Sequence, residues 1–351
     1  MTDGSLVKIL TYTAPGETRA IAVDASGIPW RSFLQRWGGE SEPARLGQVM
    51  PARLRADAEG QGGSFAELES GQEVFLANKD RPAGATLGQS LLVRIVSEQR
   101  HGKLARVKPT VDKEASSCDA FIAWGQTLPG NKPLQIEEDR EAVDAAFDEA
   151  LSERVTLAGG GTLYIERTRA LMAMDIDTSG RQGKGSAGAK ALSVNLAAGD
   201  AAARQIALRD LGGAVVIDCL GPLNAGSNQK IQTRFSEIFR RVSKRQIEVL
   251  APSRFGLMQA AIAWGSCPLE DRILDRDGQP SAESQLLEGL RLVQRQAEHA
   301  PANMFTLSLP TSVYSAYRDR KQVCELALAQ HFSGRVVLEK TDNNTVEIRR
   351  S

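Results

Sequence analysis

Residues 170–220 read ALMAMDIDTSGRQGKGSAGAKALSVNLAAGDAAARQIALRDLGGAVVIDCL, and the order of patterns in this stretch decides the fold. Two short apolar runs, ALMAMD ending at Asp175 and AVVID ending at Asp218, read as strands. Between them lie a glycine-rich loop over 179–188 and a long helix reaching about residue 210. On the N-terminal side come a helix over 137–153, with Val143, Ala146, Phe147 and Leu151 on one face, a turn at Gly159, Gly160 and Gly161, and the strand TLYIER. On the C-terminal side, Ile231, Phe235, Ile238, Phe239 and Val242 at helical spacing precede the strand QIEVL and a helix opened by Ser253. Strands alternating with helices define an α/β layer.

Ligand sites in such layers gather beyond the carboxyl ends of strands, which is where Asp175 and Asp218 stand. Two carboxylates brought together there repel each other unless a cation lies between them. Mg²⁺ suits a site of this kind, because it takes one or two protein carboxylates and fills its other positions with water and substrate phosphate. The competing reading is two aspartates that only cap loops. His101, His299 and His331 lie far apart in no ligand or nucleophile motif, so a Ser/His/Asp hydrolase has no support. GRQGKGSAGAK has the composition of a phosphate loop without its spacing; it reads as a mobile loop whose Arg181 and Lys184 can reach a phosphate.

Outside this layer, residues 1–44 carry short β-like runs at 6–12 and 18–23. Residues 45–108 show short apolar runs punctuated by glycine, the pattern of a small barrel of the oligonucleotide-binding type. Residues 109–133 read as a connector holding at most one strand. Residues 271–351 form a small α/β unit: a helix over 283–299, a strand over 304–309, a helix after Pro310 and a hairpin turning at 342–344. The domains expected are therefore 1–44, 45–108, a connector and helix over 109–153, the layer over 154–270, and 271–351, an α+β multidomain chain.

Across 351 residues, 43 basic and 43 acidic side chains cancel, so net charge gives no general affinity for polyanions. The stretch 230–254 nevertheless has seven basic residues against two acidic ones, either a phosphate-facing patch or a solvated helix face. No apolar run reaches the roughly 18–20 residues of a membrane span. Four scattered cysteines and the absence of a secretory pattern at the start lead to an expected cytoplasmic location without membrane association.

The block MDIDTSG…NLAAGDAAARQIALRDLGGAVVIDCL over 174–220, followed by SRFGL at 253–257, resembles the catalytic core of the ribonuclease E/G family, with its D-I-N-S, T-N-L-E-A-A, R-L-R-D-L-G-G, V-I-D and S-R-F-G-L motifs. The resemblance implies a DNase-I-like nuclease subdomain over 154–270, an S1-type RNA-binding barrel inserted at 45–108, and a reduced RNase-H-like scaffold over 109–153. It implies that Asp175 and Asp218 bind Mg²⁺, or Mn²⁺ in its place, and that metal-activated water cleaves single-stranded RNA to 5′-phosphate and 3′-hydroxyl ends. Arg209 and Arg254 match family arginines suited to phosphate oxygens; as plain structure they would be a helix C-terminal cation and a surface ion pair. Phe65 and Phe75 match RNA-stacking aromatics, though taken alone they suit a barrel core, and Lys103 matches a basic residue near the scissile bond. Asn195 matches the family's helix-start asparagine.

Departures from the family pattern are Asp177 in place of asparagine, an auxiliary acid; Ala197 in place of glutamate; and apolar MQAAIAW after SRFGL. Cys267-Pro268 is followed by Glu270 where the family's C-P-x-C zinc link has its second cysteine, so no zinc link is expected, and the chain should be a monomer or a dimer joined otherwise. The connector is too short for the family's 5′-end sensor. Two other readings stand beside the nuclease: an RNA-binding protein that keeps the fold without turnover, and a regulatory module acting through its C-terminal unit.

Overall fold

A computed structural model of the chain describes residues 5–37, 43–100, 102–111, 119–130, 134–181 and 185–350. The fold is α+β, and its contacts divide it into two compact units: Met1–Leu10, Ile21–Ser32 and Pro43–Leu269 in the first, and Thr11–Ala20, Phe33–Glu42 and Glu270–Ser351 in the second. No helix among the described residues is long and apolar enough to cross a membrane.

The N-terminal strands are β1 (Leu6–Ala14), β2 (Glu17–Asp24) and β3 (Pro29–Arg36). Only the first two were expected. In β3 the charges hide a buried strand: Arg31 donates to Asp210 Oδ1 at 3.3 Å within the first unit, and Arg36 donates to Glu17 Oε2 at 3.0 Å within the second.

Five strands close a barrel: β4 (Val49–Ala58), β5 (Gly63–Leu68), β6 (Glu73–Ala77), β7 (Ser90–Ser97) and β8 (Ala105–Pro109), in the order β4-β5-β6-β8-β7. All neighbours run antiparallel except β6 and β8. Leu54, Leu68, Val74, Leu76, Ile95 and Val107 fill its interior. The barrel is tied to the rest of its unit through Glu98. Its amide donates to Gly265 O at 2.8 Å, and its carboxylate accepts from Leu46 N and Cys267 N, both at 2.9 Å.

The connector holds a helix, α1 (Ala120–Thr127), instead of a strand; Asp119 caps it by accepting from the amides of Phe121 and Ile122. Next come β9 (Gln135–Glu138), which joins the N-terminal strands in the order β3-β2-β1-β9, and α2 (Arg140–Leu151), capped by Asp139.

The central layer follows: β10 (Arg154–Thr156), β11 (Thr162–Arg167), β12 (Met172–Asp177), α3 (Ala187–Leu208), β13 (Gly213–Asp218), α4 (Ala225–Val242), β14 (Ile247–Leu250) and β15 (Leu257–Ile262). The six strands lie in the order β10-β11-β12-β13-β15-β14, with β12 and β13 parallel across the α3 crossover. Ser186 and Asn224 cap the two helices. One face of the sheet contributes Met174, Ile176, Val215, Ile217, Met258 and Ile262 to a core shared with Ile206, Phe235 and Phe239 of the helices. Each such fully buried side chain is worth roughly 1.5–3 kcal/mol. The helix expected after Ser253 is instead a tight turn followed by β15. Residues 257–262 alternate buried and exposed, the period of a strand. Trp264, just beyond it, lies flat on Gly212 and Gly213, where a Cβ would come within 2.9 Å of its ring.

The second unit contains α5 (Leu269–Ile273, its first residue still in the other unit), α6 (Ala282–His299), β16 (Phe305–Leu309), α7 (Thr311–Asp319), α8 (Lys321–Phe332), β17 (Val336–Lys340) and β18 (Glu347–Arg350). The strand order is β17-β16-β18, so the expected hairpin is absent: β17 lies parallel to β16 after the α7–α8 crossover, and β18 takes the opposite edge. At its heart Glu17, 3% exposed, accepts from Arg19, Arg36 and Arg291. Burial alone would raise this carboxyl, but the three guanidinium groups outweigh it and hold it below the ordinary glutamate range.

Removing one partner of a buried ion pair costs about 3–5 kcal/mol. Glu17→Gln should therefore lower amide-exchange protection along α6 by that amount at neutral pH. Because the folded-state pKa is depressed, the carboxylate stabilises the unit above the unfolded-state value and ceases to do so as acid protonates it. The wild-type advantage over Glu17→Gln should shrink accordingly as pH falls below that value.

Candidate active site

The register of the central sheet decides where the two acids lie. Met172, Ala173 and Met174 pair with Val215, Val216 and Ile217, and one more step of the same parallel register sets Asp175 beside Asp218. Neighbouring strands are about 4.8 Å apart. Met174 and Ile217 point into the helix-covered core, so the residues that follow them point to the opposite, open face, and both aspartates are exposed. Neither side chain has a hydrogen bond or ion pair with a described residue.

The strand ends are held by backbone contacts. Asn195 of α3, 1% exposed, clamps the residue after Cys219, with Nδ2 donating to Leu220 O at 2.9 Å and Oδ1 accepting from Leu220 N at 3.0 Å. On the other flank Cys219 N donates to Gly256 O at 3.0 Å. Gly256 sits at φ +85°, and a Cβ there would come within 2.9 Å of Cys219 O and 3.7 Å of Asp218 Oδ1.

Asp177 shares the open face, one row beyond Asp175, opposite Thr162. Its Oδ1 accepts from the amide and hydroxyl of Ser179 at 2.8 and 2.7 Å, which hold its carboxyl below the usual aspartate range. Among the described residues no three His, Cys, Asp or Glu side chains converge as a metal-holding group, so the acidic pair stands as a pair.

The expected arginines divide. Arg254 is exposed in the turn before β15, its guanidinium 4.8 Å from the Phe255 ring centroid. Arg209 is 4% exposed, with Nε donating to Gln205 Oε1 and Nη2 to Ser152 O, both at 2.7 Å. That corrects the expectation of a phosphate-bracing Arg209: its donors close the C-terminal end of α2. Arg181 is likewise occupied, donating to Ala158 O at 2.9 Å and Gly160 O at 2.8 Å, which ties down the glycine turn. Lys184 lies outside the described residues. The basic stretch 230–254 does not form one patch. Arg234 is paired to Asp200 at 2.8 Å, and Arg245 is half-buried and donates to Leu211 O, its partial desolvation lowering its pKa to about 10. Ala197 faces away from the acids; it lines a cleft of about 960 Å³ on the helix side with Trp30, Leu196 and Arg204.

On the barrel, Phe65 and Phe75 are register partners, half-buried, with ring centroids 6.2 Å apart and edge-to-face. Ala66, Leu68, Val74 and Leu76 take the interior, so the two rings lie on the outer wall. The bare backbone of Gly63 leaves room for the Phe75 ring. Arg106, exposed and in register with Phe75, extends the row; sequence reading missed it, although the buried alternation of Ala105 and Val107 marks it as outward. Lys103 is exposed in the loop before β8, bridged to Arg100.

Residues 90–261 match the model of the Ribonuclease E/G family. Ribonuclease E of Haemophilus influenzae is 34% identical over 218 residues, covering 57% of this chain and 23% of the relative. A chloroplastic ribonuclease E/G-like protein of Arabidopsis thaliana is 36% identical over 150 residues, covering 42% of this chain and 14% of the relative. Among solved structures, a multidomain protein with nucleic acid binding domains from Streptococcus pneumoniae aligns at 16% identity and a TM-score of 0.18, over 33% of this chain and 45% of that one. Over residues 90–261 the chain is similar to the ribonuclease E/G family, and it spans less than a quarter of the length of these two curated relatives.

The two arginines should behave oppositely. Arg209→Ala leaves buried carbonyls of α2 without donors and should lower stability by about 1.5–3 kcal/mol in urea unfolding. Arg254→Ala, at the surface, should leave the same curve within about 0.5 kcal/mol.

Proposed function

We propose that this chain is a metal-dependent endoribonuclease acting on single-stranded RNA, with Asp175 and Asp218 as its metal-holding pair. The observation that carries this reading is the parallel register of β12 and β13, which sets two exposed carboxylates, neither paired to a described residue, side by side on an open sheet face. Like charges at one strand spacing call for a cation, and a two-carboxylate donor set fits Mg²⁺ or Mn²⁺. Such an ion supplies Lewis acidity and lowers the pKa of water, for hydrolysis to 5′-phosphate and 3′-hydroxyl ends.

The chain's own residues do the rest. Arg254 offers guanidinium donors to a phosphate beside the pair, and Asp177 adds a third carboxylate on the same face. Phe65 and Phe75, with Arg106 and Lys103 nearby, make the barrel's outer wall a platform for unstacked bases, which is the use an S1-type barrel would give it. The central layer is then the DNase-I-like subdomain of the family resemblance. Loss of turnover has less support than the sequence suggested. Ala197 lies on the helix side, and the apolar stretch after SRFGL is a structural strand with Met258, Ala260 and Ile262 buried.

Asp218→Asn should lower cleavage of a single-stranded RNA by roughly two to three orders of magnitude, with an unchanged circular-dichroism melt. EDTA should stop the wild type, and Mg²⁺ or Mn²⁺ should restore it. A folded Asp218→Asn protein that cuts at the wild-type rate sinks the assignment. Phe65→Ala or Phe75→Ala should weaken RNA binding by about 1–3 kcal/mol, read by fluorescence anisotropy.

A further inference from the structure

The row of the sheet that carries the acids holds more than acids. Across the open face, Arg154 pairs with Tyr164, Tyr164 with Asp175, and Asp218 with Leu257. Tyr164 is half-buried beside Asp175, and the Arg154 guanidinium lies 5.5 Å from its ring centroid. On the far side Phe255, two residues before Leu257, is 74% exposed, with the Arg254 guanidinium 4.8 Å from its ring. The carboxylate pair is thus bracketed by two arginine-covered aromatic rings, one on each side.

The exposure of Phe255 is built in. Ser253 N donates to Leu257 O at 3.0 Å, Gly256 N to Ser253 O at 2.9 Å and Phe255 N to Ser253 Oγ at 3.3 Å. Gly256 supplies the positive φ that closes this turn. Tyr164 is outward because Leu163 and Ile165 occupy the core on either side of it.

We propose that Tyr164 and Phe255 are base-stacking platforms for the nucleotides on either side of the scissile phosphate, with Arg154 and Arg254 as their phosphate partners; this rests on the nuclease reading above. From β11 to β15 is three strand spacings, roughly 14 Å, so the clamp takes a short single strand and not a mononucleotide. Every base has a π-face, so stacking tolerates any sequence, but bases must be unstacked to use it. The site accordingly selects for single strands at the chemical step, independently of the barrel.

The test uses the full chain and a five-nucleotide RNA carrying one 2-aminopurine. In EDTA, the wild type should quench the 2-aminopurine, and Tyr164→Val and Phe255→Ala should each relieve the quenching and loosen binding by about five- to 150-fold, the worth of one stack. Tyr164→Phe and Phe255→Trp should restore wild-type values, because the ring acts and not the hydroxyl. With Mg²⁺, KM for the pentamer should rise in the two loss variants, and a duplex of the same sequence should not compete. Wild-type KM and quenching in both loss variants, with cleavage intact, overturn the clamp and leave the nuclease reading standing. A wild type that neither binds nor cuts single-stranded RNA overturns both.

Discussion

Two like charges on adjacent strands are the constraint around which the first unit is built. Nothing local favours placing Asp175 beside Asp218; Coulomb repulsion opposes it. What enforces it is on the reverse of the sheet, where Met174 and Ile217 are locked into a core with Phe235, Phe239 and Ile206. A one-residue slip of β12 against β13 would turn that apolar set outward. The hydrophobic register and the acidic register are the same register, seen from opposite faces. Asn195 and Gly256 then fix the chain just past Asp218 from both flanks.

The barrel and the sheet present compatible surfaces. The barrel offers rings on its outer wall with a cation in register. The sheet offers rings with cations stacked over them around its acids. Glu98 couples the two bodies within their unit by taking the amides of Leu46 and Cys267 on one buried carboxylate. Cys267 thereby has a role in this chain through its backbone, whatever its thiol does.

Much of this was legible in the sequence, and the reasons for the remainder are specific. The placement of Asp175 and Asp218 on neighbouring strands could be read because each closes an apolar run of strand length and a loop and helix lie between them. The barrel was legible from its short apolar runs between glycines. Arg209 was misread, and the carbonyl partners of Arg181 were not foreseen, because a guanidinium bound to backbone carbonyls looks, in sequence, identical to one waiting for phosphate. The charges of β3 concealed a buried strand because their partners, Glu17 and Asp210, are distant along the chain. Residues 257–262 passed for a helix because alanines interrupt the alternation by size while keeping it by burial. Tyr164 and Phe255 were missed because an aromatic becomes a surface feature only once strand pairing has decided which side it faces.

The strands β1, β2 and β3 each contribute residues to both compact units. A cut at residue 270 would therefore not release a self-sufficient C-terminal piece: it would leave Arg291 buried while carrying away Glu17 and Arg19, and the tip of β3 with Arg36. The polypeptide is woven so that its ends are interdependent, and dissecting it demands a circular permutation or a two-fragment complementation with residues 11–37 supplied in trans.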